Sequence, residues 1–211
     1  MSSELENYIL NHIDDQPQLL VEIERYTNLN VLHPRMLSGH LQGSILTMFC
    51  KMLRPVSVLE IGTFTAYSTI CMAWGMPQNG HIHTIEINDE LEEIIKKFIE
   101  KAGIKKQITL HIGGALDIIP QINETFDLVF IDGDKREYPH YLEAVIPKLK
   151  TDGYILADNI LWDGKPAKPN MPDDNYTKGI MDFNEMVKND SRLEKTILPI
   201  RDGIYVIRKK G

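Results

Sequence analysis

The chain is patterned as short apolar, β-branched runs, each followed by a stretch with helical spacing. Residues 55–61 form the first run, and a helical pattern follows over residues 70–74. Residues 81–86 alternate and predict a second strand. Behind it, Asn88 and Asp89 cap a helix over 90–102 that repeats Leu91, Ile94, Ile95 and Phe98 on one face and stops at Gly103. Further strands are predicted at 107–112, 126–131 and 153–157, with helices at 117–122, 138–149 and 176–188. Residues 193–199 and 203–208, joined by Arg201-Asp202-Gly203, predict a closing hairpin. Strands alternating with helices imply a doubly wound α/β fold: a mostly parallel seven-stranded sheet with an antiparallel last strand and helices on both faces.

Ahead of the first strand, residues 5–13 and 17–29 read as helices, and a loop bearing Pro34, Gly39 and Gly43 feeds a helix over 41–53. The expectation is one domain over 1–211, with a helical extension (1–53) on an α/β core (54–211). The extension would cover a ligand or form a subunit contact. Its His33 and His40 have no ligand spacing and read as surface or hinge histidines.

Composition narrows the partners. Of 211 residues, 43% are hydrophobic and 25% charged, as in an ordinary globular protein, and the net charge is −7. An acidic chain without a long basic block disfavours nucleic acid. No apolar run is long enough to span a bilayer, so no membrane partner is expected. The amino terminus lacks a signal-peptide layout, and Cys50 and Cys71 fall within apolar helical patterns, as reduced thiols of a cytoplasmic protein would.

The candidate chemistry lies at strand ends. Glu60 and Gly62 close the first strand, before Thr63, Phe64 and Thr65. A dinucleotide needs bare backbone amides for its pyrophosphate, hence G-x-G-x-x-G, which is absent here. A carboxylate there repels pyrophosphate and attracts a ligand with an amino group and a sulfonium, which describes S-adenosylmethionine. Glu86, ending the second strand, is placed to take ribose hydroxyls. Gly113-Gly114-Ala115 lets backbone approach a flat ring. Asp132, Asp134 and Lys135 follow the fourth strand, and Asp158 and Asn159 follow the fifth. Oxygen donors from two strands suit a hard divalent ion such as Mg²⁺, with Ca²⁺ or Mn²⁺ as substitutes. Lys135 is placed to take a hydroxyl proton.

With these residues in view, the sequence resembles the cation-dependent S-adenosylmethionine O-methyltransferases, the catechol and caffeoyl-CoA O-methyltransferase group, in its bacterial form. Glu60-Ile-Gly-Thr-Phe-Thr-Ala-Tyr-Ser68, Asp132-Gly-Asp-Lys135, Asp158-Asn-Ile-Leu-Trp162 and Arg201-Asp-Gly203 carry the likeness from about Met36 onward. It implies a Rossmann-like class I methyltransferase fold. Glu60, Gly62 and Ser68 would hold the methionine part of the cofactor, Glu86 the ribose, and Ala115 the adenine. Ser38 and Asp134 would also touch the cofactor. Asp132, Asp158 and Asn159 would ligate the metal, with Asp132 and Lys135 catalytic and Lys135 the general base. The substrate would be a small phenolic molecule, catechol-like or caffeoyl-like, and the protein a homodimer paired through its amino-terminal helices.

Two positions depart from the family pattern. Ala66 stands where glycine is common, and Asp163 where plant members often carry asparagine. Trp162, Tyr138 and the loop over 161–175 are candidates for an aromatic mouth, and Trp162 alternatively packs that loop. The rival readings are a nicotinamide oxidoreductase and a non-catalytic nucleotide-binding module.

Overall fold

The computed structural model describes residues 3–168 and 174–211. Its seven strands are β1 (Ser57–Ile61), β2 (His81–Glu86), β3 (Ile108–Ile112), β4 (Phe126–Ile131), β5 (Leu149–Ala157), β6 (Leu193–Leu198) and β7 (Ile204–Lys209). They form one sheet in the order β3-β2-β1-β4-β5-β7-β6. β1 to β5 are parallel, and β7 runs antiparallel to both β5 and β6. The expected sheet is therefore observed, final hairpin included.

Side chains alternate across the strands and divide the core in two. Leu59, Ile61, Val129, Ile131 and Ile155 face α7 (Tyr138–Val145) and α8 (Asn175–Asn189), beside the short α6 (Ala115–Ile118). Val58, Ile82, Leu128, Phe130 and Leu156 face α3 (Gly39–Leu53), α4 (Tyr67–Gly75) and α5 (Glu92–Lys101). Glu60 falls on this second side, under α4.

The amino-terminal helices α1 (Ser3–Leu10) and α2 (Gln18–Asn30) lead to α3, which is more than an appendage. Leu46 and Cys50 of α3 join the core under β1 and β4, and Thr47 Oγ1 donates to Cys71 O of α4 at 2.8 Å. Thr27 of α2 meets Thr65 at 2.9 Å between hydroxyls, tying the extension to the turn after β1. Cys50 and Cys71 are both buried free thiols.

Boundaries differ from expectation for local reasons. β5 starts at Leu149, because the polar Lys150–Asp152 stretch is carried as strand through a register shift against β4, with Asp152 at φ 63°. α7 ends at Val145, since Pro147 turns the chain into a 3₁₀ segment. The loop after β5 holds 3₁₀ turns over Trp162–Ala167, broken at Asp163 and Gly164 by positive φ. The rest of the predicted loop includes 169–173, outside the described residues. No helix of the described residues is long and apolar enough to cross a membrane.

Candidate active site

The ends of β1 to β5 open on one cavity of about 880 Å³, walled also by residues 33–38 of the extension. It lies where the strand order reverses between β1 and β4, the usual crevice of such sheets. Its size suits a small-molecule ligand with a cofactor. All the predicted site residues except Glu60 line it.

β1 delivers its glycine under constraint. Gly62 has φ 100°, and a Cβ there would lie 2.4 Å from Asp132 O, so only glycine lets the β1 and β4 ends meet. In the following turn Phe64 (φ 51°) and Ala66 (φ 65°) are both left-handed, which explains why a glycine suits the Ala66 position. Glu86 braces this turn. Its Oε2 accepts from Phe64 N at 2.7 Å and its Oε1 from Asn88 N at 2.9 Å, and burial pushes its carboxyl up. Ala115 walls the cavity at the start of α6, and Ser38, nearly buried, at the start of α3. Asp134 reaches the rim, where the Arg136 guanidinium beside it holds its carboxyl below the usual range.

Glu60 is placed differently. It is fully buried, with Oε1 accepting from Ser68 Oγ at 2.5 Å and Oε2 from the hydroxyls of Thr69 and Thr84. Burial pushes its carboxyl up to about 7 against those three donors, and the charge of Asp132 adds to the rise. Among the described hydrogen-bond partners of Glu60, Ser68 is the one that lines the cavity.

The acidic half lines the same cavity and begins beside Gly62, at the end of β4. Asp132 Oδ1 accepts from Lys135 Nζ at 2.7 Å, and the same ammonium donates to Tyr138 Oη at 2.9 Å. Asp158 Oδ1 accepts from Asn159 N at 2.8 Å and its Oδ2 from Gln42 Nε2 at 2.8 Å. Burial pushes Asp132 up to about 6, with Lys135 opposing and Asp158 adding repulsion. Asn159 sits beside them at φ 58°. Among the described residues no three His, Cys, Asp or Glu side chains converge as a metal site. The donors here are two mutually repelling carboxylates and one amide on a shared cavity wall, hard oxygen chemistry that fits a divalent cation.

Tyr138 does not form part of the mouth. It is fully buried beneath Lys135, its hydroxyl donating toward Asp158 O at 3.0 Å. Trp162 takes both roles read for it: it lines the cavity and stacks on Tyr176, ring centroids 6.3 Å apart. Sequence reasoning missed Gln42 and Arg201. Gln42 is the buried amide inside the apolar α3 pattern, an anomaly visible in the sequence; Arg201 reaches the site only because the β6–β7 turn folds back over it.

The comparisons with known proteins agree with this geometry. The O-methyltransferase family pattern matches residues 11–210. The chain is 33% identical over 207 residues to caffeoyl-CoA O-methyltransferase 5 of Nicotiana tabacum, covering 92% of this chain and 85% of that one. It is 36% identical to caffeoyl-CoA O-methyltransferase 1 of the same plant, covering 80% and 75%. The solved O-methyltransferase from Bacillus cereus in complex with SAH superposes with a TM-score of 0.91 at 27% identity, covering 98% of this chain and 97% of that one.

Proposed function

The chain belongs to the S-adenosylmethionine-dependent O-methyltransferase family, and we propose that it methylates a phenolic hydroxyl, one of a vicinal pair, with the help of a divalent cation. The observation that carries this reading is the shared cavity: the Gly62–Glu86–Ala115 wall and the Asp132–Lys135–Asp158 wall face one space. A methyl donor on one wall and an acceptor oxygen on the other would be within reach of in-line displacement. The similarity to caffeoyl-CoA O-methyltransferases supports a catechol-like or caffeoyl-like acceptor.

In this reading Glu86 holds ribose hydroxyls with its remaining lone pairs, while Ser68 and the Gly62 backbone receive the methionine end. Ser38 and Asp134 close over the cofactor, and Ala115 leaves space for the adenine. Asp132, Asp158 and Asn159 would hold the cation, Mg²⁺ by donor type. When bound, the donor supplies a methyl group on a cationic sulfur, and the cation increases the acidity of an oxygen beside it. Lys135, fixed by Asp132 and Tyr138, would take the hydroxyl proton at Nζ after its ammonium has released a proton to solvent. Trp162 and Tyr176 offer aromatic surface to the acceptor ring. Alignment of reacting groups of this kind supplies roughly 7–11 kcal/mol of a barrier.

Family membership sets aside the nicotinamide alternative. Exposed Leu5, Tyr8, Leu29 and Leu32 in the extension support the homodimer. The test is methyl transfer from S-adenosylmethionine to a panel of catechols, hydroxycinnamoyl thioesters and simple alcohols, with and without chelator. Turnover of vicinal diphenols that chelator abolishes and Mg²⁺ restores is expected. Chelator-insensitive turnover would remove the metal from the mechanism, and transfer only to non-phenolic acceptors would overturn the substrate class.

A further inference from the structure

We propose that Gln42 is a positioning residue, an amide spacer that keeps the Arg201 guanidinium off Asp158. The inference rests on the divalent-cation reading above. Gln42 is 1% exposed, and its amide bridges Asp158 at the end of β5 and Arg201 in the β6–β7 turn. Nε2 donates to Asp158 Oδ2 at 2.8 Å, and Oε1 accepts from Arg201 Nη1 at 2.8 Å. The orientation of the amide follows from those partners, because a carboxylate only accepts and a guanidinium only donates.

Arg201 also donates from Nη2 to Leu37 O at 3.2 Å, so it pins the segment that leads into Ser38 on the cavity wall. Its charge is felt at Asp132, whose carboxyl it helps to lower. Among the described residues Arg201 nevertheless makes no ion pair; its side-chain partners are the Gln42 amide and the Leu37 carbonyl.

That is an unusual place for an unpaired guanidinium, because arginine beside a carboxylate readily forms a two-pronged, charge-assisted pair. Such a pair on Asp158 would hold its oxygens with a fixed cation, in competition with any divalent ion. Gln42 intervenes by taking Nη1 itself and passing one neutral hydrogen bond to Asp158. Among the described residues Asp158 Oδ1 accepts from Asn159 N and Oδ2 from Gln42 Nε2, one donor to each oxygen, which leaves each with acceptor capacity for a cation. The same amide joins α3, the β6–β7 turn and the end of β5, which makes the extension part of the acidic site.

The experiment is calorimetric titration of Mn²⁺ into the full chain loaded with S-adenosylhomocysteine, for wild type, Gln42→Met, Arg201→Ala and the double variant. Gln42→Met should weaken Mn²⁺ binding about tenfold or more, the scale on which partners of metal ligands act. Affinity for S-adenosylhomocysteine and the melting temperature should stay near wild type. Adding Arg201→Ala should restore most of the lost Mn²⁺ affinity, which damage to packing alone would not allow. Should Gln42→Met fail to fold, Gln42→Asn keeps the amide but is too short to bridge both partners, and the same pattern is expected. Unchanged Mn²⁺ binding in the Gln42 variants, or a loss that Arg201→Ala does not recover, overturns the proposal. A wild-type protein that takes up no Mn²⁺ overturns the metal reading itself, and the two failures are thereby distinguished.

Discussion

Lys135 Nζ donates to Asp132 Oδ1 at 2.7 Å, an ion pair in which both side chains are largely withdrawn from water. The lysine is held from a second direction by Tyr138 Oη, so its position is fixed before any ligand enters. Lys135→Met should keep the fold, because the aliphatic stem is nearly isosteric, yet lower kcat by roughly 10²–10⁴, the range of a lost general base. The KM for S-adenosylmethionine should change little. A variant turning over at near the wild-type rate would remove Lys135 from the proton transfer.

Glu86 is expected to act on binding and not on chemistry. Its two oxygens already brace Phe64 N and Asn88 N, and the residue lines the cavity. Glu86→Gln keeps the shape but loses the charge that strengthens hydrogen bonds to ribose hydroxyls, worth about 1.5–3 kcal/mol for a charged acceptor. The dissociation constant for S-adenosylhomocysteine should rise about tenfold or more, with kcat at saturating donor nearly preserved. Equal affinity in both proteins would place the ribose elsewhere.

Gly62→Ala tests whether the two halves of the site depend on one close approach. The added Cβ would fall 2.4 Å from Asp132 O, and the backbone is already in a region that L side chains avoid. Either β1 or the Asp132 turn must shift. A loss of about 2 kcal/mol or more in denaturant unfolding is expected, together with weaker cofactor binding. Wild-type stability in this variant would mean that the strand ends separate without cost.

What the sequence disclosed follows from the range of each interaction. Period-two and helical patterns are local, so β1 to β4 and the final hairpin were legible, as was the chain of acids at strand ends. The start of β5 was not, because Lys150–Asp152 is polar and becomes strand only by pairing across a register shift. Glu60 was read as a direct ligand residue, but the hydroxyls of Ser68, Thr69 and Thr84 that enclose it come from another helix and another strand. Tyr138 looked like an exposed aromatic, and its burial depends on α8 packing across it: Phe183 meets its ring edge-on at 5.3 Å. Gln42 and Arg201 are 159 positions apart, beyond any local pattern.

A row of histidines on β2 and β3 should make the fold acid-sensitive. His83 Nδ1 lies 3.0 Å from His111 Nε2, His83 Nε2 lies 3.2 Å from Glu124 Oε1, and the His81 and His83 rings are 5.1 Å apart. Burial, and then the neighbouring imidazoles, lower the values of His81 and His111. The unfolded chain therefore binds more protons below about pH 6.5, so the stability these residues contribute is present above that value and is lost as pH falls through the folded values. His111→Gln keeps a partner for His83 and removes one titrating ring. Its melting temperature should fall less than that of wild type between about pH 7.5 and about pH 5.5. Parallel curves would show that the cluster does not titrate in this window.

Glu60 should act in the opposite direction. Burial raises its carboxyl from 4.5 to about 7, so the folded protein binds the extra proton between those values. The stability it contributes is then fully present below the ordinary value and is lost as pH rises through about 7. The offset amounts to roughly 3 kcal/mol once the group is ionised. Glu60→Gln has the same shape and no charge to bury, although one of the hydroxyls of Ser68, Thr69 and Thr84 must turn to accept from its amide. The melting temperature of the wild type relative to this variant should decline as pH climbs from about 5 to about 8. A difference that stays constant across that range would mean that folding does not shift the titration of Glu60 in this window, and that the three hydroxyl donors offset the effect of its burial.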